Sequence, residues 1–173
     1  RLSFSSKVVP ETRISDWIAK SLSEFGVKRV HGLMGGGAAG LNDGFISSPD
    51  IDYICYHHEQ SAGHGAIGES KYSGKLAVVN PTTGCGGTNC ITSVVNAWQD
   101  SVPCMFIGGQ VKRSETSSNS KIEHLRQFGV QELNMIPIVE SLCKYAVTLN
   151  EPKKIKFELQ KAIHLAKSGR PGP

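Results

Sequence analysis

Leu76-Ala77-Val78-Val79 is apolar at every position rather than at alternate ones, and a glycine-rich turn begins within five residues of its end. A strand that is apolar on both faces must be covered on both, which is the condition of a parallel sheet held between helical layers. Residues 102–107 repeat the pattern, and strand-like runs also fall at 28–33, 51–56 and 144–149. Helical spacing fills the intervals. Residues 8–12 lead into a helix carrying Ile14, Trp17, Ile18, Leu22 and Phe25 and ended by Gly26. Further helices are predicted over 38–47, from residue 59 onward, and through Ile91, Val94, Val95 and Trp98. A last one, over 152–167, sets Ile155, Leu159, Ile163 and Ala166 on one face and its lysines mostly off it. Strands alternating with helices at this spacing imply right-handed βαβ units, so the predicted fold class is α/β, a doubly wound, mainly parallel sheet with helices on both faces. Residues 112–127, rich in serine and charge, read as a long exposed loop and a candidate mobile segment. With 173 residues the chain is expected to form a single domain, 1–173.

Several function classes are disfavoured on totals alone. No apolar run approaches the ~18 residues of a membrane span, so neither a membrane-embedded nor a membrane-bound protein is expected. The net charge of +4 is dispersed, without the basic stripe or aromatic ladder of a nucleic-acid binder. The five cysteines are odd in number and contain no Cys-x-x-Cys pair, which points to reduced thiols and a cytoplasmic setting. Cys85 and Cys90 lack the partners of a zinc site, and no metal ligands are expected in this chain.

Chemistry concentrates where the 51–56 strand stops, at Tyr56-His57-His58-Glu59-Gln60. A carboxylate just past the carboxyl end of a parallel strand stands where open α/β sheets bind ligands. Ala62, Gly63, Gly65 and Ala66 follow it and leave so little bulk that a flat group or another backbone can approach. Burial penalises a carboxylate's charge, and a carboxyl kept neutral can donate a hydrogen bond at neutral pH. Gly35-x-Gly37-x-x-Gly40, with Glu59 about twenty residues on, also satisfies the outline of a dinucleotide fingerprint, so an NAD(P)-binding module is the alternative. Two features weigh against it: a helix precedes the first strand, and the acidic residue opens a helix rather than ending a strand. His58-Glu59 is not a zincin helix, because His64 lies about 240° around from His58. The Thr82-Thr83-Gly84-Cys85-Gly86-Gly87 turn lacks the Lys-Ser/Thr of a phosphate-binding Walker loop.

Three ordered stretches carry a family resemblance: His58-Glu59-Gln60; Thr82-Thr83-Gly84-Cys85-Gly86-Gly87-Thr88-Asn89; and Asn96-Ala97-Trp98-Gln99-Asp100-Ser101-Val102-Pro103 with Gly108-Gly109-Gln110-Val111. Together they resemble the pyrimidine-binding (PYR) domain of thiamine-diphosphate enzymes, in the acetolactate synthase branch. Met34, Cys85 and Val130 stand where that branch has proline, proline and an aromatic. The resemblance implies a catalytic Glu59 that hydrogen-bonds N1′ of the cofactor's aminopyrimidine and relays a proton. It implies cofactor contacts by Gly35, Gly36, Thr83, Gly84 and Asn89, with Gln110 and Gln131 on the substrate side. It also implies a 2-oxo acid substrate such as pyruvate and a homodimer or homotetramer with thiamine diphosphate at the subunit interface. Mg2+ would be bound by a domain not in this chain, since the Gly-Asp-Gly…Asn signature is absent and Asn42-Asp43-Gly44 has no asparagine at the needed distance. The chain is accordingly expected to be a fragment of a larger three-domain enzyme, inactive by itself.

Overall fold

The computed structural model describes residues 12–173, so all but Thr12 of the lead-in predicted over 8–12 lies outside the described residues. Four strands, β1 (Arg29–Gly32), β2 (Asp52–Cys55), β3 (Ala77–Asn80) and β4 (Cys104–Phe106), form one sheet in the order β2-β1-β3-β4, with every pair parallel. The register sets Val30 beside Val78 and His31 beside Val79. Because side chains alternate along a strand, Val78 and Val79 face opposite layers. Both are fully buried, which is why β3 is apolar throughout.

On one face, α1 (Ile14–Glu24), α2 (Ala39–Ile46) and α7 (Ile155–Lys167) bury Ile18, Leu22, Phe45, Leu159 and Ile163 against Val30 and Val78. On the other, α3 (Glu59–Ser73) and α5 (Ile91–Gln99) bury Ala62, Ala66, Ile67 and Ala97 against Val79 and Cys104. The doubly wound parallel sheet expected from the pattern is therefore what forms. Helix α3 owes its limits to local chemistry. His58 Nδ1 accepts from the Gln60 N–H (3.2 Å) at its start, and Gly74, in the left-handed conformation, turns the chain at its end.

Two short helices escape the apolar pattern. α4 (Cys85–Asn89) occupies part of the predicted glycine turn, and α6 (Ile136–Val139) follows the long loop. The strand expected over 144–149 does not form. That segment lies across an apolar cavity of about 600 Å3, which it lines together with Met105, Ile107 and Leu159. An extended segment becomes a strand only by pairing, and β4 has no partner on its outer edge among the described residues.

The 112–127 loop is exposed but tethered. Arg113–Glu115 and Ser117–Asn119 make single turns. Glu132 accepts from the Ser117 N–H (2.6 Å) and hydroxyl (2.8 Å) and from the Phe128 N–H (3.0 Å). Desolvation opposes the charge on Glu132, but these hydrogen bonds outweigh it and hold its carboxyl below the ordinary glutamate range. A carboxyl depressed in this way stabilises the fold above its unfolded value and loses that contribution as pH falls through its folded value. Amide-exchange protection at Ser117 and Phe128 is thus expected at neutral pH. It should vanish on acidification below the ordinary glutamate range, and at neutral pH in Glu132→Ala. Protection that survives both changes would show that Glu132 does not hold the loop.

Candidate active site

At the carboxyl ends of the strands, four connections meet. Gly35–Gly37 leaves β1, Glu59 opens α3 after β2, Thr82–Gly87 follows β3 and Gly108–Gln110 follows β4. The chain crosses from β2 back over β1 to β3, so a topological switch point lies between the first and third of these connections. Asn80, fully buried, ties the strand ends together: its Nδ2 donates to the Ile107 carbonyl (2.8 Å) and its Oδ1 accepts from Tyr53 Oη (3.2 Å). Sequence reasoning missed this residue. Its only signal is an amide at the end of an otherwise apolar strand.

Glu59 is buried, at 6% exposure. Its Oε2 accepts from Asn89 Nδ2 at 2.9 Å, and its Oε1 faces Gly86, where a Cβ would stand 3.1 Å from that oxygen and 2.5 Å from the Thr82 methyl. One carboxyl oxygen is thus held, and the other looks onto backbone without a side chain. Asn89 reaches Glu59 because α4, formed from the glycine-rich stretch, carries it there. The neighbouring Cys90 is no candidate nucleophile: burial, and then the charge of Glu59, push its thiol up to about 12.

Gly35 and Gly36 lie on the connection after β1, Thr83 and Gly84 on that after β3, and Gln110 on that after β4. Gly37 packs on Thr83 so closely that a Cβ would sit 1.8 Å from its Oγ1, and a Cβ at Gly35 would strike Thr82 at 2.5 Å, whereas the same position on Gly36 meets only open space. The Thr82 and Thr83 hydroxyls and Asn42 Oδ1 are buried with no hydrogen-bond partner among the described residues. Orphaned buried polar groups are uncommon, and three beside one glycine loop mark a place for a polar ligand. Gly84 has φ +58 and abuts the Gln131 carbonyl. The structure therefore brings the backbone of Gln131, with its side chain exposed, onto the glycine turn. Gln110 is committed to backbone, its Nε2 donating to the Leu133 carbonyl (2.8 Å) and its Oε1 accepting from the Val111 N–H (3.0 Å). In this structure it acts as a brace between two loops.

The dinucleotide alternative fails on this geometry. Gly35 and Gly37, the first two glycines of that fingerprint, are packed against Thr82 and Thr83, and its acidic residue Glu59 is bonded to Asn89. No three His, Cys, Asp or Glu side chains cluster as metal ligands among the described residues. No helix there is long and apolar enough to cross a membrane.

A parallel α/β sheet with a buried carboxyl and glycine turns at its switch point defines a ligand-binding domain of an α/β enzyme. Residues 12–135 match the family described as thiamine pyrophosphate enzyme, N-terminal TPP binding domain, and the chain belongs to that family. It is 34% identical to an acetolactate synthase large subunit of Buchnera aphidicola over 159 residues, 92% of this chain and 26% of the relative. The large subunit of acetolactate synthase isozyme 3 from Escherichia coli gives the same figures. The acetolactate synthase large subunit of Lactococcus lactis is 34% identical over 167 residues, 96% of this chain and 28% of its own. The chain thus spans about a quarter of the length of the curated relatives it matches.

The residues present fit an aminopyrimidine. Such a ring needs a carboxyl at its edge, polar hydrogen-bonding groups nearby and flat walls. Glu59 Oε1, the orphaned threonine hydroxyls and the bare backbone at Gly36 are groups of this kind.

Proposed function

We propose that this chain is the pyrimidine-binding domain of a thiamine-diphosphate-dependent 2-oxo acid decarboxylase or carboligase resembling acetolactate synthase, with pyruvate or a similar 2-oxo acid as substrate. The observation that carries the reading is the buried Glu59 carboxyl, held through one oxygen by Asn89 while the other lies beside Gly86 with no side-chain partner. Once bound, thiamine diphosphate supplies a carbon centre that can store the electron pair released by decarboxylation. Glu59 would exchange a proton with the ring nitrogen N1′ through Oε1, as the acid–base partner of the bound cofactor. Asn89 fixes the orientation of that carboxyl. Gly35, Gly36, Thr83 and Gly84 line the pyrimidine side and keep bulk away from the ring. Gln131 is the candidate for the substrate side, and Gln110 supports it by fixing the loop.

Magnesium needs hard oxygen ligands and the diphosphate needs that cation, and no cluster of carboxylates that could hold the metal forms among the described residues. In this reading they are held by another domain, in a homodimer or homotetramer with the cofactor between subunits, in the cytoplasm, where the five free cysteines stay reduced. Calorimetric titration of the full-length protein is expected to show saturable binding of thiamine diphosphate with magnesium and none of NAD or NADP. Absence of the first, or saturable binding of either nucleotide at the Gly35–Gly40 loop, would reject the assignment.

A further inference from the structure

His31 occupies a core position on β1. Its register partner Val79 and the apolar residues of α3 share its layer, yet it is an imidazole, buried to 5% exposure. Both ring nitrogens are engaged: Nε2 lies 2.8 Å from Glu69 Oε2 on the third turn of α3, and Nδ1 lies 3.0 Å from Tyr56 Oη at the end of β2. A carboxylate only accepts, so Nε2 carries the hydrogen toward Glu69, and Tyr56 can then donate to Nδ1. Arg29 reaches the other Glu69 oxygen at 3.4 Å from the solvent side. The result is one line of hydrogen bonds from the β2–α3 junction, over the central strand β1, to the body of α3.

Tyr56 is the important link. Its N–H donates to the Gly32 carbonyl (2.9 Å), which ties its backbone to β1. Its hydroxyl sits at Gly65, where a Cβ would come within 2.1 Å of it. The side chain is therefore wedged between β1 and the second turn of α3, three residues before Glu59. On the opposite flank α3 is seated by an equally close approach, Ser93 of α5 against Gly63. With both flanks fixed, neither the height of α3 on the sheet nor its rotation is free, and both determine where the Glu59 carboxyl stands. A proton-exchanging carboxyl must be held within about 0.5 Å of its productive position.

We propose that the Tyr56–His31–Glu69 chain is a positioning device for Glu59, with His31 as the positioning residue that joins its two arms. This rests on the reading of Glu59 given above. His31→Phe keeps a ring in the core and removes both arms. His31→Gln keeps a donor for Glu69 and loses Tyr56. Tyr56→Phe removes one hydroxyl while the ring stays against Gly65.

The test uses the full-length protein, saturated with thiamine diphosphate and magnesium, and follows deuterium exchange at C2 of the cofactor by quenched-flow NMR, with calorimetric Kd and melting temperature measured alongside. Exchange is expected to slow about 10-fold in His31→Phe and severalfold in both His31→Gln and Tyr56→Phe, while Kd stays within twofold. A merely structural role predicts lower melting temperatures with an unchanged exchange rate in the folded, saturated protein. If His31→Phe does not fold, Tyr56→Phe decides alone. Exchange within twofold of wild type in the folded variants, with Glu59→Gln slowed, overturns the positioning role and leaves Glu59 in place. Unaltered exchange in Glu59→Gln overturns both.

Discussion

Glu59→Gln in the full-length protein is expected to lower kcat by about 10²–10⁴, the range by which a positioned acid–base group accelerates proton transfer. The substitution is close to isosteric, and a glutamine Oε1 can still accept from Asn89, so the 2.9 Å contact has a replacement. What is lost is a proton that can leave and return. Because the carboxyl is buried and becomes a neutral amide of similar volume, folding should change by less than about 1.5 kcal/mol. The check is steady-state turnover of a 2-oxo acid at saturating cofactor, with the melting temperature as control. Turnover within threefold of wild type would remove Glu59 from the chemistry. Glu59→Ala should be as inactive and less stable, since it removes the hydrogen bond from Asn89 and leaves a cavity where a buried side chain stood.

Where local pattern and tertiary environment agree, the sequence is readable. β3 is legible because Val78 and Val79 must satisfy two cores at once, and an apolar run in four consecutive positions has few other uses. Glu59 is legible because a strand stops and a run of small residues starts around it. Helix α4 is not, since Gly86 and Gly87 lower helix propensity by roughly 1 kcal/mol each. It forms because tertiary contacts, among them Asn89 to Glu59 and Met135 beside Gly87, reward it. The 144–149 segment fails the other way: its composition suits a strand, but strand formation depends on a neighbour whose presence no local pattern reports. The amide of Gln110 and the imidazole of His31 share that blindness. Gln110 finds its partner 23 residues away and His31 finds Glu69 at a separation of 38, so nothing near either residue announces its commitment. Glycines mislead in a subtler way, because a run such as Gly35-Gly36-Gly37 looks uniform while its members face entirely different surroundings.

Two single-alanine substitutions turn that difference into an expected result. Gly84 adopts φ +58, ψ −112, a conformation almost closed to residues with a side chain, and its Cβ would stand 2.1 Å from the Gln131 carbonyl oxygen. Backbone strain of about 1–3 kcal/mol and forced displacement of a neighbouring main chain at about 1–3 kcal/mol act together. Gly84→Ala should therefore destabilise by roughly 2–6 kcal/mol, a fall of about 4–24 °C in melting temperature for a domain of this size. Gln131 itself sits at φ +62 and cannot retreat without giving up a second unusual backbone position. At Gly36 nothing lies within 4 Å of a new methyl, so Gly36→Ala should leave stability within about 0.5 kcal/mol. Its effect belongs to function: a methyl projecting into the open space of the cradle should weaken thiamine diphosphate binding by the full-length protein at least 10-fold. Thermal unfolding of the two variants with calorimetric titration of Gly36→Ala checks both. Equal stability losses would show that the Gly84–Gln131 packing is not what holds this turn. An unaltered Kd in Gly36→Ala would move the cofactor away from the glycine loop.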